Sequence, residues 1–521
     1  MCNLTSLSPG TPAQPKPPTF STSIVDRLLS LDMGAEPPST FAKLENYQKF
    51  QTKSEKRILD DRPNRDKLIA PTPLLFQPFG YFRDIRCGVN VPGQGEIHDG
   101  KLRRKVDELA DEMTLFHRSE EDRRSRFLAG LEVIFDVTPG TTNLNKIHGT
   151  EYFSDGHLNG DHGIMVFCLE CENEVSTASC EPAVQLVAYV AASLRTRAKL
   201  YTELFNRWRV PILGVMHVGG FTLYLLSALP HWNTGPNVQF FGIVWVGKMR
   251  ITPLTPLLPM VDPAGEGFRW DLFLAFKAAR IVFVNIRTHI QHILGVLNDP
   301  HADRPPFLTT KTIRFPSINE IKTYPPTDTQ PKTIKFILES RHDNIEHREL
   351  YHARLISPSS SDKAIYVKFS QRYSVELHKF CAGRGLAPRI LGFQELHGGW
   401  FVVAMEKIDT VDCGSITSFP EAGKWKSEIE DLVHGFRQKG LVHGDLRLAN
   451  FVFTSDQPRR MILIDFDWGG EDGKVVFPHE ELIEDLGVSN DRLYGRKITK
   501  EHDQKCLEKV TEWLDGCIFA G

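Results

Sequence analysis

Residues 441–453 read LVHGDLRLANFVF. Apolar residues close the stretch at both ends, and His443, Asp445 and Asn450 stand between them at H-x-D-x-x-x-x-N spacing. The flanking sequence decides how it folds. Upstream, within 424–439, Trp425, Ile429, Leu432, Val433 and Phe436 recur at helical spacing. Gly440 then occupies the place of a helix C-cap. Downstream come a short apolar strand, FVF, a polar turn, SDQPRR, and a second apolar run, MILID, that ends in Asp465. The polar trio therefore belongs to a loop between a helix and a two-stranded hairpin, and Asp465 closes the returning strand.

That arrangement suits phosphoryl transfer. The reaction needs a carboxylate to orient and deprotonate a hydroxyl, oxygen ligands for magnesium beside the triphosphate, and a cation on the phosphates. Asp445 supplies the base, and Asn450 and Asp465 supply the metal ligands. Magnesium takes hard oxygen donors and few protein ligands, so one amide and one carboxylate suffice. The cation is sought upstream. AIYVKF places Lys368 on a strand whose pattern matches the V-A-I-K motif. Eight residues on, in YSVELHKF, Glu376 falls on a helix, where it is expected to pair with Lys368 and hold it for the α- and β-phosphates. FVVAMEKID, residues 401–409, is an apolar strand turning polar, the place for a hinge that offers backbone groups near Glu406 and Ile408 to an adenine.

In this order, Lys368, Glu376, hinge, Asp445, Asn450 and Asp465 resemble the protein-kinase-like superfamily. HGD in place of HRD is similar to its aminoglycoside- and choline-kinase-like branch. HGDLRLAN, IDFDWGG and the later ITKEHD resemble more narrowly the fungal-type protein kinases of basidiomycetes. The resemblance spans about 333–514. It implies an α+β bilobal domain that uses ATP and Mg and transfers the γ-phosphate to a hydroxyl, in a protein Ser/Thr or in a small molecule. A pseudokinase that only binds or signals is the alternative. Arg447, two residues after the base, is placed to contact the transferred phosphate or to form a surface ion pair. His443 is expected to brace the loop, and His502 and Asp503 to help hold the C-terminal lobe. The departures are local. FILESRHDNIEHRELYHARL, before Lys368, has no glycine, so side chains such as Ser340 would have to replace a phosphate-cradling loop. DFD stands where DFG is usual, and no A-P-E motif follows.

The preceding sequence alternates apolar strand-like runs (164–169, 240–246, 280–284) with helical periodicity at 183–205, and a charged helical stretch covers 101–131. This is α/β patterning. SDGHLNGDHGIMVFCLECENEVSTASCEPAVQ, from Ser154 to Gln185, resembles a degenerate PD-(D/E)xK nuclease-like domain. Asp155 or Asp161, Glu170 and Glu132 would supply carboxylates, and Glu172 stands where the family has lysine. A like charge there opposes the attack of water on a phosphate, so an inactive recognition domain is expected. Cys168 and Cys171 form a lone C-x-x-C. Strand alternation sends them to opposite faces, and buried thiols are expected rather than zinc ligands.

The whole-chain numbers agree with a multidomain protein. With 521 residues, two or three domains are expected. The boundaries expected are a partly disordered arm at 1–64, the α/β domain at 65–299, a Pro-rich linker at 300–332 and the kinase-like domain at 333–521. Sixty-two basic residues against 65 acidic ones leave a net charge of -3, which gives no whole-chain pull on nucleic acid or anionic membrane. Nine irregularly spaced cysteines and a polar N-terminus point to an intracellular, cytoplasmic or nuclear, protein. The apolar window 210–230 reads as two strands with a glycine turn rather than a membrane span.

Overall fold

The structure, a computed structural model, describes residues 23–31, 33, 37–53, 57–60, 69–93, 95, 99–115, 117–138, 146–147, 150–172, 181–219, 235–261, 267–299, 301, 311–324, 332–342, 349–356, 363–411, 413, 416, 419–477 and 495–520. Residues 1–20, Glu174 and the second half of the 210–230 window lie outside this set.

The N-terminal unit is α/β. Its sheet runs in the spatial order Gly156–Asn159, Met165–Glu172, Val210–Val218, Asn237–Trp245, Met249–Pro253. Met165–Glu172 and Val210–Val218 are parallel. A parallel pair needs a crossover, which the helix Pro182–Ala198 supplies. The charged stretch divides into the helices Gly100–Thr114 and Glu120–Phe135, each started by a side-chain cap, Asp99 and Ser119. One expected strand is wrong: 280–284 lies inside the 31-residue helix Phe268–Asn298. A short apolar run fits either period. Here Phe273, Phe276, Ile286, Ile290 and Ile293, all buried, continue a helical stripe on both sides of it.

The C-terminal unit begins with an antiparallel sheet in the order Ile390–Leu396, Trp400–Glu406, Lys363–Ser370, Glu349–Ile356, Thr333–Arg341, Glu320–Lys322. Side chains alternate across its central strand. Lys368 turns to one face, while Ile365, Val367 and Phe369, all buried, turn to the other. Below the sheet pack the helices Val375–Gly383, Ala422–Gln438 and Lys500–Ala520 and the hairpin of Phe451–Thr454 with Met461–Leu463. Trp425, Ile429, Leu432, Val433 and Phe436 join the core of this lobe, as their spacing requires. Gly440 ends the helix in the left-handed region (φ +73°), which its missing Cβ permits.

The two units are not joined by a free tether. The sheet face of Ile365, Val367 and Phe369 belongs to one continuous hydrophobic cluster with the N-terminal unit. Part of the expected linker is built into the seam: Glu320–Lys322 is an edge strand, and Ile313, Phe315 and Ile321 are buried. The Arg209 guanidinium donates to the carbonyls of Thr312 (3.1 Å), Ile313 (2.9 Å) and Phe315 (2.6 Å). Proline richness signals poor secondary structure but says nothing of what the segment packs against.

At the other end of the seam, Asp84 accepts from Gly398 N (3.0 Å) and lies 2.8 Å from His397 Nδ1, and Arg83 donates to Gly398 O (2.8 Å). Gly80 allows this approach, because a Cβ there would lie 2.5 Å from Gly398 N. Backbone atoms cannot yield as a flexible side chain can. Gly80→Val is therefore expected to destabilise the protein by about 1–3 kcal/mol, the usual cost of overpacking. Chemical denaturation checks this; an unchanged midpoint would mean the seam is loose. No helix among the described residues is long and apolar enough to cross a membrane.

Candidate active site

Lys368 lies on the cavity face of its strand and is 5% exposed. Its Nζ is 2.5 Å from Asp465 Oδ1 and 2.6 Å from Asp467 Oδ1. Glu376 does not take part: it sits in the first turn of Val375–Gly383 and is exposed. Burial, then the Glu376 charge, raise the nearby Tyr324 hydroxyl. The expected Lys368–Glu376 pair is thus absent, for a reason of helix phase. The buried positions of this helix are Leu377, His378 and Cys381, so residue 376 turns outward. Asp467 is the residue that reading the sequence missed. Its signal was the DFD sequence itself, with a second carboxylate two residues after Asp465.

His378 fills the space beneath the sheet. Its Nε2 faces Pro388 O at 2.7 Å and its Nδ1 faces Tyr373 Oη at 2.6 Å. A carbonyl only accepts, so Nε2 carries the proton and Nδ1 accepts from the tyrosine. Burial lowers the His378 pKa to about 3, so the ring stays neutral. It stacks on Phe466 with centroids 4.4 Å apart, which locks the DFD segment against the helix. Asp465 itself adopts a left-handed backbone (φ 70°), a region aspartate enters more readily than most residues.

The loop that carries His443, Asp445 and Asn450 is held from below. Asp503, in the first turn of Lys500–Ala520, accepts from His443 N (2.6 Å) and Gly444 N (2.8 Å). His443 Nδ1 accepts from Asp445 N at 3.3 Å, the bracing expected of it. Asp445 is 2% exposed. Arg447 grips its carboxylate with Nε (2.5 Å to Oδ1) and Nη2 (3.0 Å to Oδ2), an ion pair with a buried carboxylate rather than the surface pair expected as one of its two roles. Asn450 Nδ2 donates to Asp445 O (2.8 Å) and Oδ2 (2.7 Å). Asn450 O accepts from Ile464 N at 2.9 Å, which ties this loop to the strand end bearing Asp465.

These bonds leave Asn450 Oδ1 without a protein donor among the described residues. That amide oxygen and the Asp465 carboxylate, carried by backbones tied together at Ile464, are hard oxygen donors of the kind that would hold magnesium. The residues present fit the ion. No group of three or more His, Cys, Asp or Glu side chains converges as a metal centre among the described residues.

Between sheet and hairpin lies a cavity of about 720 Å³, lined by Lys368, Glu406, Ile408, Val452, Ile464 and Asp465 among others. That size is ordinary for a cofactor-sized ligand. Glu406 and Ile408 fall where the hinge is expected. Glu406 N is already given to Arg389 O (3.0 Å). Ser340 is exposed and does not line the cavity; His342 does, stacked on His352 at 5.2 Å. One imidazole, that of His342, thus stands in the cavity wall.

Asp503 gives the loop a pH dependence. Burial pushes its carboxyl up to about 7, against the two backbone N–H donors that favour the charged form. The folded state therefore keeps the proton up to about pH 7, while the unfolded chain sheds it near 3.8. Stability from this group is complete below the lower value and lost as pH rises through the upper one. Melting temperature is expected to fall from pH 5 to 8 more steeply in the wild type than in Asp503→Asn; equal slopes would count against the assignment.

In the N-terminal unit, Asp155 and the buried Glu170 share one neighbourhood, since both charges raise the Cys168 thiol, whose main cause is burial. Asp155 is already engaged, by Arg124 Nη1 (3.0 Å) and Cys171 N (2.8 Å). Glu172 ends its strand half-buried, and burial, Glu120 and Asp155 raise its pKa. Glu132 is buried on Glu120–Phe135. Cys168 and Cys171 are both buried, as expected.

No protein-family model matches the chain. No curated protein matches it either. Among solved structures it is similar to the Cydia pomonella granulovirus kinase PK-1, with 12% identity, 34% of this chain and 67% of that chain covered, and a TM-score of 0.29. It is also similar to the Mycobacterium tuberculosis PknI kinase domain, with 17% identity, 35% and 73% covered, and a TM-score of 0.23.

Proposed function

We propose that the C-terminal unit is a magnesium- and ATP-dependent phosphotransferase of protein-kinase-like type. One observation carries the reading: Lys368 and Asp465 meet in the wall of a cavity beside the hinge, and Asp465 is bonded through Ile464 to the loop of Asn450 and Asp445. Lys368 holds phosphate oxygens, Asn450 and Asp465 hold the ion, and Asp445 receives the proton of the acceptor hydroxyl. Magnesium, when bound, screens the charge of the phosphates. Arg447 keeps the Asp445 carboxylate oriented until the hydroxyl arrives. Little covalent chemistry is asked of the chain; positioning and electrostatics supply the rate.

The acceptor proposed is a protein Ser or Thr; a small-molecule hydroxyl is distinguished from it by the test. The N-terminal unit is proposed as a nuclease-like fold without nuclease chemistry, a reading supported by the engagement of Asp155 by Arg124 and by glutamate at position 172. A silent, nucleotide-binding or scaffolding module is the second reading. It is favoured by the glycine-free stretch before Lys368.

Phosphate transfer from γ-labelled ATP with magnesium, offered to generic protein acceptors and to amino-alcohol and aminoglycoside acceptors, separates these readings. Transfer to protein is expected. Transfer only to small molecules moves the assignment to that branch. A chain that neither transfers phosphate nor shifts its melting temperature with millimolar Mg-ATP is not a phosphotransferase.

A further inference from the structure

Lys368 is buried beside the cavity, and the carboxylate expected to pair with it lies on the outer face of its helix. Glu376 is exposed, and the inward places around it belong to Leu377, His378 and Cys381. Lys368 Nζ instead lies between Asp465 and Asp467, at 2.5 and 2.6 Å. The Tyr373 ring stands 5.9 Å from the same nitrogen. Lys368 and Asp465 are both less than 10% exposed at the side chain, and Asp467 is 20% exposed. A buried ammonium needs a paired charge, and one carboxylate that must also meet a metal ion cannot serve the lysine alone.

We propose that Asp467 is the positioning residue for Lys368, taking the role expected of a helix-borne glutamate, so that Asp465 is released to the metal when nucleotide binds. The inference rests on the phosphotransferase reading and sharpens it. In the usual arrangement, a helix that swings away takes its glutamate with it and disarms the lysine. Here the partner is two residues from Asp465 on the same segment. That segment is fixed by the Phe466–His378 stack at 4.4 Å and by Ser374 N donating to Phe466 O at 3.0 Å. Lysine placement is then built into the strand end and does not depend on movement of the helix. Side-chain geometry agrees with this: the short aspartate side chain reaches Lys368 Nζ at 2.6 Å from a position two residues beyond Asp465.

The test is a double-mutant cycle in the full chain, read in two ways. Variants Lys368→Met, Asp467→Asn, Glu376→Ala and the two double variants that join Lys368→Met to each carboxylate change are compared by chemical denaturation without nucleotide, and by titration with a fluorescent N-methylanthraniloyl ATP and magnesium. In denaturation, Asp467→Asn is expected to couple to Lys368→Met, the double variant costing clearly less than the two singles summed, while Glu376→Ala adds independently. In binding, Asp467→Asn is expected to weaken nucleotide at least tenfold in the wild-type background and less than twofold in the Lys368→Met background. Asp467→Glu should recover part of the loss. A merely structural role would give the same loss in both backgrounds. Additive behaviour of Asp467→Asn and Lys368→Met overturns the proposal, and coupling of Glu376→Ala to Lys368→Met would return the role to the helix. If the wild type binds no nucleotide, the phosphotransferase reading fails, and the denaturation cycle still reports which carboxylate holds Lys368.

Discussion

Asp445→Asn is expected to lower phosphate transfer by about a hundred- to ten-thousand-fold, the usual contribution of a positioned general base. Asparagine keeps the shape and an acceptor for Asn450 Nδ2 but cannot take a proton. Asp445 does not line the cavity that holds Lys368 and Asp465, so affinity for Mg-ATP is expected to change little while kcat collapses. That split is informative: loss of an interaction made only in the transition state lowers kcat without raising KM. The substitution also removes the carboxylate that Arg447 grips at 2.5 and 3.0 Å, so folding must be verified by circular dichroism and the melting curve. A well-folded Asp445→Asn protein with undiminished transfer would show that the base lies elsewhere.

The second large effect concerns the seam. Residues 311–521 expressed alone are expected to aggregate or to melt without cooperativity. Removing the N-terminal unit uncovers the sheet face of Ile365, Val367, Phe369, Val402 and Ala404, which are now buried in the shared cluster. It also removes Arg209, whose three bonds hold 312–315, and Asp84, which holds the 397–398 turn. A contiguous exposed apolar patch of that kind drives association. Size-exclusion chromatography and thermal unfolding of the fragment test this. A monomer with a melting temperature near that of the full chain would mean that the seam contributes little.

The sequence by itself determined most of the elements around the candidate site and the order of its polar residues along them. Period alone placed the helix ending before Gly440 and the hairpin after Asn450, because a helix and a strand expose different residue spacings to one core. The side chains then fell in order: Lys368 on a strand, Asp445 and Asn450 on a loop, Asp465 at a strand end. Local pattern failed where two periods fit the same residues, as at 280–284, and where a segment's partners lie far away in sequence, as at 311–324. Only tertiary structure decided which carboxylate meets Lys368. Helix phase turned Glu376 outward, and the chain after Asp465 set Asp467 2.6 Å from Lys368 Nζ, neither of which a list of residue types records. It also decided that both faces of the lysine sheet are covered, one by the cavity and one by the N-terminal unit. Periodicity reports which face of an element is apolar; what comes to cover that face is fixed by contacts hundreds of residues apart.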